Sequence, residues 1–228
     1  MTIFHHKLLE IFLLNLARSS LVLFVIFAAV VVPEAVADLG DVSLNWNERV
    51  SLVVWLILGV LDHFLPLALL LATLFTAGPL ARRQELTALS AAGHSMFQII
   101  WPLIAVGGLA ALFSLTLRVS GFLFISDPLL LSESLTAASK TAHHVDNAYP
   151  LVNIFAVLTG IILGTTPHRI TVYGDFGKAL LVLFLYFLVT RTCVVLGSYQ
   201  WLSPLVAGWL GPTLFAGLIA LLWHRANR

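Results

Sequence analysis

Residues 51 to 77 read Ser51-Leu-Val-Val-Trp-Leu-Ile-Leu-Gly-Val-Leu-Asp62-His63-Phe-Leu-Pro66-Leu-Ala-Leu-Leu-Leu-Ala-Thr-Leu-Phe-Thr-Ala77. A helix needs about 20 apolar residues to cross the hydrocarbon core of a bilayer, and this run exceeds that length with one adjacent pair of ionisable groups. Similar runs recur near residues 12–33, 97–122, 149–165, 179–198 and 204–223. The 228 residues are 60% hydrophobic and 10% charged, more apolar surface than one soluble core of this size hides. The expected fold is an all-α membrane protein, one domain of six transmembrane helices.

Six crossings put both termini on one side, and lysine and arginine in short loops mark the cytoplasmic side. Lys7, Arg82, Arg83, Arg169, Lys178, Arg225 and Arg228 fall on the side of the termini, against Arg49 and Lys140 opposite. The termini are therefore expected in the cytoplasm, with an acidic outer face built from Glu34, Asp38, Asp41, Glu48, Asp127, Glu133 and Asp146. The stretch Met1 to Glu10 is too polar for a signal-peptide core, so the first run reads as a retained helix.

Pro66, Pro102 and Gly107-Gly108 lie inside helical runs and mark expected kinks. The longest stretch outside the membrane, Leu123 to Ala148, reads as a short helix over Leu129 to Leu135, then a loop through the polar Ser-Thr-Lys-His run. It is too short for a β-domain, whose strands each take about 5–6 residues.

The chemistry excluded is broad. The net charge of +1 carries no basic tail for nucleic acid, and the single cysteine, Cys193, makes neither a disulfide nor a cysteine metal cluster. His5-His6 and His143-His144 are adjacent pairs on opposite sides and do not complete a ligand set. The phosphate loop G-x-x-x-x-G-K-[ST] is missing, since Gly174-Asp-Phe-Gly-Lys178 has the wrong spacing and Ala179 follows. With no nucleophile elbow and no H-E-x-x-H, the chain is expected to be neither an enzyme nor a binder of a cofactor or metal.

Two groups of residues remain. Leu80-Ala-Arg-Arg-Gln-Glu-Leu-Thr-Ala-Leu-Ser-Ala-Ala-Gly-His94 joins the second and third runs on the cytoplasmic side, with Leu86, Leu89 and Gly93 at helical spacing among Arg82, Arg83 and Glu85. It reads either as a short amphipathic helix offered to a soluble partner or as a solvated loop obeying the topology rule. Gly93 is suited to end such a helix in a left-handed conformation. Inside the runs, Asp62, His63, Arg118 and Arg191 are ionisable, costing about 2.5–3.5 kcal/mol each at a helix centre on insertion scales. Counted from Ser51, Asp62 falls about 16 Å along its helix, near mid-membrane. It lines a polar headgroup cavity or holds helices together through Arg118 or Arg191; both readings stand.

These segments carry a resemblance. Pro66-Leu-Ala-Leu-Leu, Gly78, Gln84-Glu-Leu-Thr-Ala-Leu-Ser-Ala-Ala-Gly93, Tyr149-Pro-Leu-Val, Gly177, Arg191, Gly197 and Leu202-Ser-Pro-Leu-Val-Ala-Gly-Trp-Leu-Gly-Pro212 resemble the permeases of the lipopolysaccharide-export ABC transporter, the LptF/LptG family. The resemblance implies three spans, an external β-jellyroll and three more spans, with the jellyroll replaced here by Leu123 to Ala148. It further implies that Arg82 to Gly93 is the coupling helix seated in a cytoplasmic ABC ATPase homodimer, which binds ATP and Mg, with Glu85 at the contact. A second permease, identical or related, would close a lipid cavity whose lateral gate lies along the first and fifth spans, in a bacterial inner membrane.

Family members commonly place a cation near the outer end of the first span, whereas this chain has Glu34 and Asp38. Carboxylates there repel phosphates within a Debye length of about 8 Å, which argues against lipopolysaccharide as the cargo. Glu34, Asp38, Asp62, His63 and Arg191 are the expected cavity or gate residues. A scaffold that moves nothing, and an ion-coupled carrier using Asp62 and Arg191, are the competing classes; a carrier would show paired broken repeats, which the sequence lacks.

Overall fold

A computed structural model describes residues 2–40, 46–125, 137–165 and 172–226, and within these ranges not every side chain. All the elements described are helices: α1 Thr2–Gly40, α2 Trp46–Arg82, α3 Glu85–Ala91, α4 Met96–Ile125, α5 Ala137–Ala148, α6 Leu151–Thr165, α7 Val172–Ser198 and α8 Pro204–Ala226. Five contain windows long and apolar enough to cross a membrane: Phe4–Ala29, Ile57–Arg82, Met96–Arg118, Phe176–Ser198 and Pro204–His224. The windows in α1 and α2 overlap the expected runs 12–33 and 51–77. The helix in the fourth run, α6, is apolar but shorter than the others.

Short α6 is the axle of the bundle, packing against α2, α4, α7 and α8. In lipid, helices gain little by hiding oily surface from one another, so close packing of small residues has to hold them. A Cβ added at Gly160 would lie 2.7 Å from the Thr73 side chain, and one at Gly164 3.2 Å from Ala77. Gly107 of α4 likewise faces Val157 at 3.0 Å, so close approach accounts for this glycine. Around the axle, Leu69 and Leu70 of α2, Leu103 of α4 and Val157 and Ile161 of α6 form the main buried cluster, joined by Phe12 of α1. A second cluster gathers Val152, Tyr186 and Phe215, with the Tyr186 and Phe215 rings edge to face at 4.9 Å. Helix α1 packs mainly on α2, antiparallel and in one register, through Asn15 Nδ2 donating to Thr76 Oγ1 at 3.1 Å and the tilted contact of the Phe27 and Phe64 rings.

The turns carry their own chemistry. Gln84, at φ 58°, breaks α2 from α3. Gly93, at φ 87°, ends α3 in a Schellman motif, with His94 N donating to Leu89 O and Gly93 N to Ser90 O. Ser95 and Gln98 then cap α4 reciprocally, each backbone N–H donating to the other's side chain at 3.3 Å.

The polar run expected to be a loop is helix α5. It lies in the cleft between α7 and α8, where a Cβ at Gly197 would meet Thr141 at 2.7 Å and one at Gly208 would meet His144 at 2.5 Å. The helix expected over Leu129 to Leu135 falls outside the described residues. The bundle thus has an α3 end, bordered by exposed Phe97 and Trp101, and an α5 end, bordered by exposed Tyr199 and Trp201; such aromatic rings favour the two faces of a bilayer.

Candidate functional site

At the α5 end one guanidinium ties four elements together. Arg118, one turn after Ser114 on α4, donates from Nη2 to Asp62 Oδ2 of α2 at 2.7 Å and from Nη1 to Asp146 Oδ1 of α5 at 2.7 Å. Its Cζ lies 3.8 Å above the centre of the Tyr149 ring, in the turn before α6. The second oxygen of Asp62 accepts from Ser114 Oγ, which in turn accepts from Asn153 Nδ2 of α6 at 2.9 Å. Asp62 is only 4% exposed, and Ser114 and Asn153 are fully buried, whereas the Asp146 side chain is 61% exposed. The fork of an arginine suits this two-carboxylate arrangement, and a lysine would not match it.

The level of this cluster along the bundle follows from helix geometry. Asp62 lies about 30 Å along α2 from Arg82 at 1.5 Å per residue, the whole thickness of a hydrocarbon core. Arg118 lies about 33 Å along α4 from Met96 by the same count. Both counts place the cluster towards the α5-side boundary of the bundle. A boundary position lowers the cost of burying these charges well below that at a helix centre.

His63 is exposed beside the cluster; its Nδ1 donates to Gly59 O at 2.9 Å and its ring is 5.8 Å from that of Tyr149. Arg191 of α7 is exposed and makes no hydrogen bond among the described residues. It stands one turn beyond Phe187, whose ring meets Tyr149, and is near enough to act on Tyr149 electrostatically. The side chains of Glu34 and Asp38, expected at the outer mouth, lie outside the described residues. Ser114, Asp146, Tyr149 and Asn153 were not among the expected site residues; Asp146 appeared only as part of the acidic outer face, Tyr149 only within the family resemblance, and Ser114 only through its helical spacing to Arg118.

At the opposite end, α3 is a single exposed step between α2 and α4. Arg82, Arg83, Glu85 and Gly93 are exposed, with Arg83 and Glu85 3.9 Å apart in a solvent-facing pair. Leu86 turns inward and is buried, and Leu89 is half-buried, so the apolar side of α3 holds it to the bundle while its polar side faces outward. Among the described residues no group of acids, histidines and cysteine is arranged to hold a metal.

A helical bundle with five apolar spans among the described residues, packed closely at the glycines of α6, defines a multi-pass membrane protein. The family model described as the lipopolysaccharide export system permease LptF/LptG matches residues 8–120 and 125–225. The chain belongs to that permease family. The two matched segments are separated by residues 121–124 only, and no strand occurs among the described residues. No curated protein matches the chain.

Proposed function

We propose that this chain is the membrane-embedded permease of an ATP-driven lipid exporter. In this reading α6 makes a fourth, short crossing, giving six spans, and both termini and α3 face the cytoplasm of a bacterial inner membrane. The ATPase is a separate homodimer carrying ATP and Mg; this chain has no catalytic role and binds no cofactor. A second permease, a copy or a relative, completes a cavity in which lipid enters from the outer leaflet between α1 and α7. Glu34, Asp38 and Arg191 act at its mouth, and the cargo is a lipid or glycolipid less anionic than lipopolysaccharide.

The observation that carries this reading is the family match across both halves of the chain. The outward polar side of α3 supports docking there through Arg82, Arg83 and Glu85, with Leu86 and Leu89 bracing the helix. Both carboxylate oxygens of Asp62 are engaged within the chain, which favours a structural role over the ion coupling a secondary carrier needs. The test is co-purification with candidate ATPase subunits: the wild-type chain retains the ATPase, and the Glu85→Ala, Leu89→Asp variant loses most of it. Equal recovery from both removes the docking assignment, and lipid-insensitive ATP hydrolysis in the assembled complex favours a scaffold.

A further inference from the structure

One charge in the most exposed span has no role in the sites above. Arg18 lies inside the apolar window Phe4–Ala29 of α1, is exposed, and makes no ion pair or hydrogen bond among the described residues. The register set by Asn15 with Thr76 and Phe27 with Phe64 puts Arg18 level with Thr73 and Lys7 level with Gln84. Arg18 is thus about 13 Å inside the level of Arg82 at 1.5 Å per residue. Side chains on a helix lean towards its N-terminus, which in α1 is the α3 end, so the long stem of Arg18 leads its guanidinium towards the headgroups of that leaflet. Lys7, also exposed, falls on the same face within about 20° at 100° per residue, and exposed Ile11 and Leu14 make an apolar wall between the two cations. Glu10, the acid nearby on α1, is about 80° off Arg18 by the same count.

The missing counter-charge has a definite chemistry. A second copy related by an axis along the bilayer normal presents its residues at the same levels. Among the acids whose side chains are described none is level with Thr73: Asp62 and Asp146 are at the α5 end, Glu85 is beyond Arg82, and Glu10 lies about 12 Å nearer the α3 end than Arg18 and leans away from it. A copy of the chain therefore does not neutralise Arg18, whereas lipid phosphates of the α3-side leaflet lie within its direction of reach. We propose that the Ile11, Leu14, Arg18 face of α1 binds an anionic phospholipid of that leaflet, with Arg18 on the phosphate and Ile11 and Leu14 against an acyl chain. The site is distinct from the gate at the α5 end and does not depend on the exporter reading.

The test is native mass spectrometry of the full-length chain in mild detergent, titrated with phosphatidylglycerol or phosphatidylcholine of identical acyl chains. One cation near anionic headgroups contributes about fivefold in affinity. The wild-type chain is expected to prefer phosphatidylglycerol by at least about fivefold, Arg18→Leu to bring the ratio close to one, and Arg18→Lys to keep most of it. An unchanged preference in Arg18→Leu overturns the proposal, as does a photo-crosslinker at Leu14 that captures a polypeptide and no lipid. Because neither readout needs an ATPase, a failed co-purification leaves this result standing on its own.

Discussion

Arg118 does at residue scale what the sequence left open between two arginines. Its guanidinium neutralises buried Asp62 and reaches exposed Asp146 at the same time, and the two contacts differ in weight. Removing one partner of a buried pair leaves an uncompensated charge and costs about 3–5 kcal/mol, while an apolar replacement of both is near neutral. Arg118→Leu should therefore lower the thermal midpoint in detergent sharply, and the Asp62→Leu, Arg118→Leu double variant should recover much of the loss. Asp146→Asn, on the solvent side, should cost under about 1 kcal/mol. A wild-type midpoint for Arg118→Leu would show that the cluster holds nothing together.

At the scale of elements, the long apolar runs were readable because lipid imposes one length and one composition on any helix that crosses it. Helix α5 was not. Its alanines and the helical spacing of Thr141, Val145 and Ala148 were a local signal that its polar composition obscured, and what seats it comes from Gly197 and Gly208, far along the chain, which let Thr141 and His144 approach two other helix backbones. The pairing of Asp62 with Arg118 was half-readable for the same reason: charge named the two arginines, and only packing of α2 against α4 chose between them. Arg18, by contrast, stood in plain view within an apolar run and gave a signal that sequence reading passed over.

The glycine contacts give a direct check on this level. An added methyl at Gly208 would lie 2.5 Å from His144 Cβ and 2.9 Å from its backbone carbon, a clash that neighbouring backbone cannot easily relieve. Gly208→Ala should destabilise by about 1–3 kcal/mol, the usual cost of overpacking. Gly217, on the same helix, has nothing within 4 Å of an added Cβ. Gly217→Ala should be neutral or stabilising by up to about 1 kcal/mol through helix propensity. Equal thermal midpoints for the two variants would mean that α5 is not clamped in the α7 and α8 cleft.

For the whole molecule, the account depends on which end of the bundle meets the cytoplasm. The charges at the α3 end give the sequence argument for its orientation, and the family match gives the permease architecture, but each is indirect as a statement about sidedness. An impermeant maleimide on intact cells addresses it, in a Cys193→Ala background carrying either Thr87→Cys on exposed α3 or Tyr199→Cys at the α5 end. The account predicts that Tyr199→Cys is labelled in intact cells and Thr87→Cys only after the membrane is permeabilised. Labelling of Thr87→Cys in intact cells, with Tyr199→Cys protected, would put α3 outside the cell and contradict an ATP-driven permease.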